Sequence, residues 1–303
     1  MATTHHATLL PVLALLFNAL VWGTSWWPFR RIEALGLHPL WTTMFVYALC
    51  AAVILAARPG ALRQLVRAPA LWVLVCASGA TNAAFNWGVV IGDVVRVVLL
   101  FYLMPLWAVL LARVLLGERL TSSTVARAAL ALAGAAVVLW PEAPAADASS
   151  WPVPRSLPDW LGVIGGFSFA LNNVMLRRES HRPEEGRALA MFVGGAVVAG
   201  ALGALLTRSG EIPPPAGLDW SLAPWALGLG LLILSGNLAL QYGAARLRAS
   251  VTAVVMLSEV LFASVSALVL GGGTLTTRLV LGGAMILLAA ALSALEPALP
   301  PSP

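Results

Sequence analysis

The stretch LLPVLALLFNALVWGTSWWPFRR, residues 9–31, decides how the rest of the chain is read. Its first nine residues are apolar. At about 1.5 Å rise per residue, the whole stretch is long enough to cross a hydrocarbon layer as a helix. From Asn18 onward, however, it carries an amide, two hydroxyls, a glycine, a proline and three tryptophans. A polar side chain facing hydrocarbon loses its water partners without replacement. One face of this helix is therefore expected to meet something other than lipid.

Working outward, the chain repeats such apolar runs. Hydrophobic residues make up 60% of the 303 and charged residues 10%, against about 25% charged in soluble domains. Runs of spanning length give helices at about 9–29, 39–57, 70–91, 95–116, 124–140, 159–177, 187–207, 222–244, 249–270 and 277–295. The expectation is an all-α polytopic membrane protein with ten transmembrane helices and very little chain left for a soluble domain. The first helix resembles a signal peptide in position only. Its leader MATTHHATLL has no Arg or Lys and no A-x-A site follows the apolar run, so it is kept as structure.

Composition also excludes several functions. All 18 basic residues are arginine. Without lysine there is no Walker A loop and no Schiff-base chemistry. The net charge of +5 would point to nucleic acid in a soluble protein. Here the arginines gather at helix ends, where they set topology, and no nucleic-acid partner is expected. His5, His6, His38 and His181 lie in the N-terminal tail or at loops, with no HExxH and no Ser/His pair within the spans. No enzyme, metal site or cofactor is expected. Cys50 and Cys76 fall inside helices and read as small buried apolar residues.

Twelve arginines fall in one alternating set of loops and six in the other: Arg30, Arg31, Arg96, Arg155, Arg208 and Arg278. The positive-inside rule then puts both termini in the cytoplasm. The tract PEAPAADASSWPVPRSL, 141–157, becomes an extracytoplasmic linker between residues 1–140 and residues 158–303. Within those halves the sequence echoes itself. At an offset of 155, Asn82 meets Asn237, Gly88 meets Gly243 and GERLT (117–121) meets GGTLT (272–276). At an offset of 147, Trp22, Ser25, Trp26 and Arg30-Arg31 meet Phe169, Asn172, Asn173 and Arg177-Arg178. Five helices per half is an odd number, so the repeats must be inverted, a transporter design with substrate bound near the midplane.

Trp22-Gly23-Thr24-Ser25, Tyr102-Leu103-Met104-Pro105 and LLGERLT (115–121) resemble the EamA-type drug/metabolite transporter (DMT) superfamily. The Tyr-Leu-x-Pro element most resembles the YddG-type amino acid exporters of bacterial inner membranes. The resemblance implies two inverted five-helix repeats around a central cavity, cytoplasmic termini, a multi-pass protein of the bacterial inner (plasma) membrane, and export of amino acids or similar metabolites. The chain departs from the family pattern at Val260, where Pro is frequent, and at Gly273, where Glu would match Glu118. No acid occurs in the first helix. Small multidrug members of the superfamily use one there for proton exchange.

Neighbours on a helix lie three and four residues apart. Asn18, Trp22, Ser25, Trp26 and Phe29 therefore share a face of the first helix, and Ser78, Asn82 and Asn86 share one of the third. Phe169, Asn172 and Asn173 stand on the sixth helix, Asn237 and Gln241 on the eighth, and Tyr102 on the fourth. Such amides can serve as glue between helices. Their symmetric distribution over four helices points instead to a shared polar cavity that binds substrate. Trp27 lies off the stripe and reads as an interface tryptophan, with Pro28 ending the helix near that boundary. Glu259, about halfway along the expected ninth helix, is the one deeply placed acid. A charge there costs roughly 2.5–3.5 kcal/mol on insertion scales, which marks it as a proton site or a counter-ion for a substrate ammonium. Asp93 and Arg96, three apart at an outer helix end, read as a topological pair.

The leading expectation is a secondary transporter exporting amino acids or similar small neutral or zwitterionic metabolites by alternating access. The alternative is a multidrug exporter of lipophilic cations, proton-coupled through Glu259. The spacings Gly162-x-x-x-Gly166 and Gly88-x-x-x-Gly92 allow close helix contacts within a monomer or between the subunits of a homodimer.

Overall fold

Proline decides where the opening stretch bends. The computed structural model describes residues 3–115, 117, 121–140, 153–179, 181–215, 221–244, 246 and 255–294. In it the stretch forms two helices, α1 (Thr3–Thr24) and α2 (Trp26–Ala34), joined at Ser25. Pro28 has no N–H for the carbonyl four residues back, that of Thr24, so the ladder fails there. It resumes one residue on, where Phe29 N–H donates to the Ser25 carbonyl at 3.2 Å. Pro28 therefore does not end the span, as its position near the membrane boundary implied. It interrupts the span and stands in the first turn of the continuation, where a missing N–H is tolerated.

The device recurs downstream. After α3 (Pro39–Ala57), α4 (Gly60–Arg67) and α5 (Pro69–Ile91), the next span is split into α6 (Val94–Phe101) and α7 (Met104–Leu115). Pro105 leaves the Phe101 carbonyl without its partner, and the chain turns through Tyr102 and Leu103. Then follow α8 (Ser122–Leu139), α9 (Leu157–Arg178), α10 (Glu184–Arg208), α11 (Ala223–Ala244), α12 (Ser258–Leu270) and α13 (Thr277–Ala294). A third interruption, at Leu257, precedes α12 without any proline nearby. Residues 247–254, the start of the expected ninth helix, lie outside the described residues, as does most of the 141–157 linker.

The chain is an all-α polytopic membrane protein. Among the described residues six segments are long and apolar enough to cross a membrane: Leu9–Ala34, Pro39–Ala57, Pro69–Ile91, Val94–Leu115, Glu184–Arg208 and Ala223–Leu240. Shorter apolar helices lie at Val125–Leu139, Ser258–Leu270 and Thr277–Leu292. Large apolar side chains such as Val114, Leu231 and Val269 remain exposed, as a surface in hydrocarbon allows. The short helix α4 had no counterpart among the expected spans.

Packing joins elements far apart in sequence. Helix α5 lies against α9 and α10, α10 against α3, α1 against α11 and α12, α8 against α13, and both α6 and α7 against α9. Small residues set the closest approaches. A Cβ on Gly134 of α8 would stand 2.7 Å from the Gly282 carbonyl of α13, and one on Gly282 would stand 2.6 Å from the Gly134 carbonyl. Gly162 does the same for α9 against α6, where a Cβ would meet the Val97 carbonyl at 3.0 Å. That spacing is thus used within the monomer. Among the described residues the two larger buried apolar clusters lie around α6 and around α3, α4, α5 and α10, with Trp22 packed against both, and a small third one joins Leu40, Ala83, Ala199 and Ile212.

Candidate functional site

Two of the helix interruptions meet. Tyr102, in the turn between α6 and α7, donates its hydroxyl to Glu259 Oε2 at 3.1 Å and approaches the Met256 carbonyl at 3.2 Å. Asn18 of α1 reaches the same turn, its Nδ2 3.5 Å from Met256 Sδ. A broken helix leaves carbonyl and N–H groups unspent, and these side chains collect around them. Glu259 is not halfway along its helix as the sequence implied. It occupies the first turn of α12, directly after the break at Leu257. It is only 8% exposed, and Tyr102 is its hydrogen-bond partner among the described residues. Gly23 lets α1 press on this turn: a Cβ there would stand 2.7 Å from the Glu259 carbonyl.

An aromatic chain runs away from this point. Tyr102 contacts Phe101 with ring centroids 6.2 Å apart, Phe101 contacts Phe169 at 5.3 Å and Phe85 at 4.9 Å, and Phe85 meets the edge of Trp22 at 6.3 Å. Trp22 and Phe169 are thereby connected to Tyr102 and Glu259. Phe85 and Phe101 link them and were missed in the sequence. Each neighbours a residue singled out there, Asn86 and Tyr102, but sits on no polar stripe.

The α5 stripe is engaged differently. Ser78 donates to the Met191 carbonyl of α10 at 3.1 Å, and Asn86 donates to Thr43 of α3 at 3.1 Å. Asn82 donates to the Ser78 carbonyl at 2.8 Å and accepts from the Tyr47 hydroxyl. These three side chains bind helix to helix. Trp26 is likewise buried, donating to Ser266 at 2.9 Å, and Ser25 donates back to the Trp22 carbonyl at 3.0 Å. Trp27 packs edge-on to Trp225 with Arg31 over its ring. On α9, Asn172 is buried and Asn173 exposed. Asn173 stands about 150° around α9 from the exposed apolar face of Trp160, Ile164 and Phe167, so its exposure is turned away from that face. Asn237 bonds to its own helix, at the Ile233 carbonyl. Gln241 lies in α11, but its side chain is outside the described residues. Among the described residues the amide oxygens of Asn18, Asn86 and Asn172 are buried without a partner. No group of three or more His, Cys, Asp or Glu among the described residues is arranged to hold a metal.

One end of the bundle is closed by polar contacts. Arg96 at the start of α6 grips Asp159 at the start of α9 with two bonds, 2.6 and 3.1 Å, and caps α8 through the Val138 carbonyl at 2.8 Å. Arg96 and Asp93 are therefore not a side-chain pair. Asp93 caps α6 at the Arg96 N–H and accepts from the Thr274 N–H at 2.8 Å, before α13. Arg30 caps α5 at the Val89 and Gly92 carbonyls and also reaches Gly272. Arg278 bonds to the Trp140 carbonyl at 3.2 Å, beyond the end of α8. These arginines sit where helix C-termini leave carbonyls unsatisfied, which accounts for positive charge in the less basic set of loops.

The EamA-like transporter family profile matches residues 9–140 and again residues 156–295. A probable terminal-alkyne amino-acid exporter of Streptantibioticus cattleyicolor is 32% identical over 130 residues, and the match spans 42% of this chain and 44% of that one. The chain thus spans less than half the length of this curated relative. A protein of known crystal structure shares the fold, with a TM-score of 0.56 and 21% identity over 93% of this chain and 94% of that one.

Proposed function

The chain belongs to the EamA-like transporter family, and from that premise we propose that it exports amino acids or similar small zwitterionic metabolites. The observation that carries the reading is the Tyr102–Glu259 contact, where two broken helices meet beside the Trp22–Phe85–Phe101–Phe169 chain. Substrate sites of secondary transporters form at such interruptions. A buried carboxylate and the unpartnered oxygen of Asn18 are acceptors suited to an ammonium group, and the ring faces suit an apolar side chain. Asn173 lines the approach. Ser78, Asn82, Asn86 and Trp26 hold the surrounding helices in register. The amino-acid exporter among the relatives supports this substrate class, and a finer likeness to the YddG-type exporters belongs to the same proposal.

The transporter consists of two inverted repeats of five spans, residues 1–140 and 158–303. The twofold match of the family profile supports this. So does the packing, because α5 against α9 is echoed by α11 against α1, and α6 against α9 by α12 against α1. The break at Tyr102 also recurs at Leu257, the same offset of 155 that relates Asn82 to Asn237. Alternating access follows from rocking the repeats, with the Arg96–Asp159 end shut in this state. The chain resides in the bacterial inner membrane with cytoplasmic termini and that end outward.

Counterflow into liposomes, run with the twenty amino acids and several cationic dyes, tests the reading. One or more neutral amino acids should exchange. The alternative, export of lipophilic cations proton-coupled through Glu259, is favoured by the aromatic chain beside a buried acid, and exchange of dyes alone would select it.

A further inference from the structure

A second site lies at the opposite end of the bundle from the Arg96–Asp159 closure. Between α4 and the α9–α10 connection is a crevice of about 230 Å³ lined by Arg63, Gln64, Arg67, Leu71 and Arg182, among others. Three arginines line this one small space. Arg63 and Arg67 are four apart on α4, a spacing at which like charges repel, and neither has a hydrogen-bond or ion-pair partner among the described residues. Arg182 is held by Glu179 through Nε, which leaves its other N–H groups directed elsewhere. Gln64 packs on α10, its Oε1 2.7 Å from where a Cβ on Gly186 would stand, and so anchors one wall of the crevice. A net positive crevice calls for an anionic ligand.

The rest of α4 says where that ligand comes from. Ala61 and Leu65 are buried and fasten the helix to the bundle, while Leu62 and Val66 are 50% and 62% exposed. Leu62 and Val66 share a face, and the Arg63/Arg67 face lies about 100° around the helix from it. An eight-residue helix joining two membrane spans, with one exposed apolar face and an adjoining basic one, lies in the interfacial plane. Acyl chains can cover Leu62 and Val66 while a headgroup enters the crevice beside them.

We infer that this crevice binds the phosphate headgroup of an anionic phospholipid, its phosphodiester on Arg63, Arg67 and Arg182. The guanidinium fork suits phosphate oxygens, and basic pockets at membrane surfaces recognise such lipids. The site is separate from the proposed transport pathway and does not depend on it.

The test uses the purified full chain in detergent with phosphatidylglycerol as probe, bound lipid being read by native mass spectrometry. Wild type should retain one phosphatidylglycerol in clear preference to phosphatidylcholine. Replacing both arginines, Arg63→Gln with Arg67→Gln, should weaken retention about thirtyfold, as loss of two arginine contacts to a headgroup requires. Arg58→Gln, which removes a neighbouring charge outside the crevice, should leave retention unchanged. Both variants alter exposed side chains, and an unchanged thermal transition verifies their folding. Equal retention of the two lipids, or full retention by the Arg63/Arg67 variant, would overturn the inference. So would complete displacement by millimolar inorganic phosphate, which would make the crevice a site for a soluble anion.

Discussion

Tyr102 and Glu259 belong to different halves of the chain, so their contact should appear as an energetic coupling. The perturbations are Tyr102→Phe, which deletes the hydroxyl, and Glu259→Gln, which keeps an acceptor and removes the charge. A hydrogen bond to a charged group is worth about 1.5–3 kcal/mol and one between neutral groups about 0.5–1.5 kcal/mol. Their difference sets an expected coupling of about 1 kcal/mol in a double-mutant cycle. Side-chain hydrogen bonds within membrane proteins average about 0.6 kcal/mol, which is a sensible floor. The assay is unfolding of the purified protein for wild type, both single variants and the double variant, with counterflow measured on the same preparations. Glu259→Gln should stay folded yet lose at least about tenfold in transport, or 1.4 kcal/mol. Tyr102→Phe keeps the ring and the carboxylate and should lose less. Additivity within about 0.3 kcal/mol, together with unchanged counterflow in Glu259→Gln, would refute both the bond and its role.

Arg96→Ala should destabilise the protein by about 2 kcal/mol, because it strands Asp159, only 2% exposed, without its bidentate partner. Adding Asp159→Ala should recover part of that loss in thermal unfolding, and no recovery would remove the pair from the closure. Trp22→Ala should shift apparent substrate affinity by about three- to thirtyfold, whereas Trp27→Ala should not. The reverse result in counterflow inhibition would mean that the wrong face has been assigned. His38 caps α3 by accepting from the Leu40 N–H at 3.3 Å, and burial pushes its pKa down. The folded state therefore favours neutral imidazole, so His38 contributes stability above its unfolded pKa of about 6.5 that is lost as pH falls below it. His38→Asn keeps a cap and should flatten the stability profile between about pH 5 and about pH 7.5. Identical slopes for the two proteins would discard that contribution.

Most helix positions were legible because an apolar run of spanning length admits few alternatives. Pro39–Ala57 matches the expected range, and Pro69–Ile91 differs from it by one residue. The breaks were less legible. Pro28 and Pro105 advertise an interruption, but its location follows from the carbonyl each leaves unpaired, four residues upstream. Leu257 carries no such signal, so Glu259 was misjudged as mid-helix. Helix α4 escaped because eight residues are too few to register as a span. Of the candidate site, Asn18, Trp22, Tyr102 and Glu259 could be chosen from residue type and spacing. Phe85 and Phe101 could not, since aromatic residues within apolar helices look like ordinary core. Nor could spacing separate amides that link helices, such as Asn86, from one turned to open space, such as Asn173, because that depends on where neighbouring helices end.

The central claim is that a substrate ammonium is received where Tyr102 meets Glu259. It is tested most directly by comparing counterflow of a transported amino acid with that of its N-acetyl derivative, in liposomes containing wild type or Glu259→Gln. Acetylation removes the ammonium and leaves the side chain and carboxylate intact. The account requires wild type to exchange the free amino acid and to discriminate against the derivative by at least about tenfold, with that preference collapsing in Glu259→Gln. Equal exchange of both compounds by wild type, or an undiminished preference in Glu259→Gln, would contradict it.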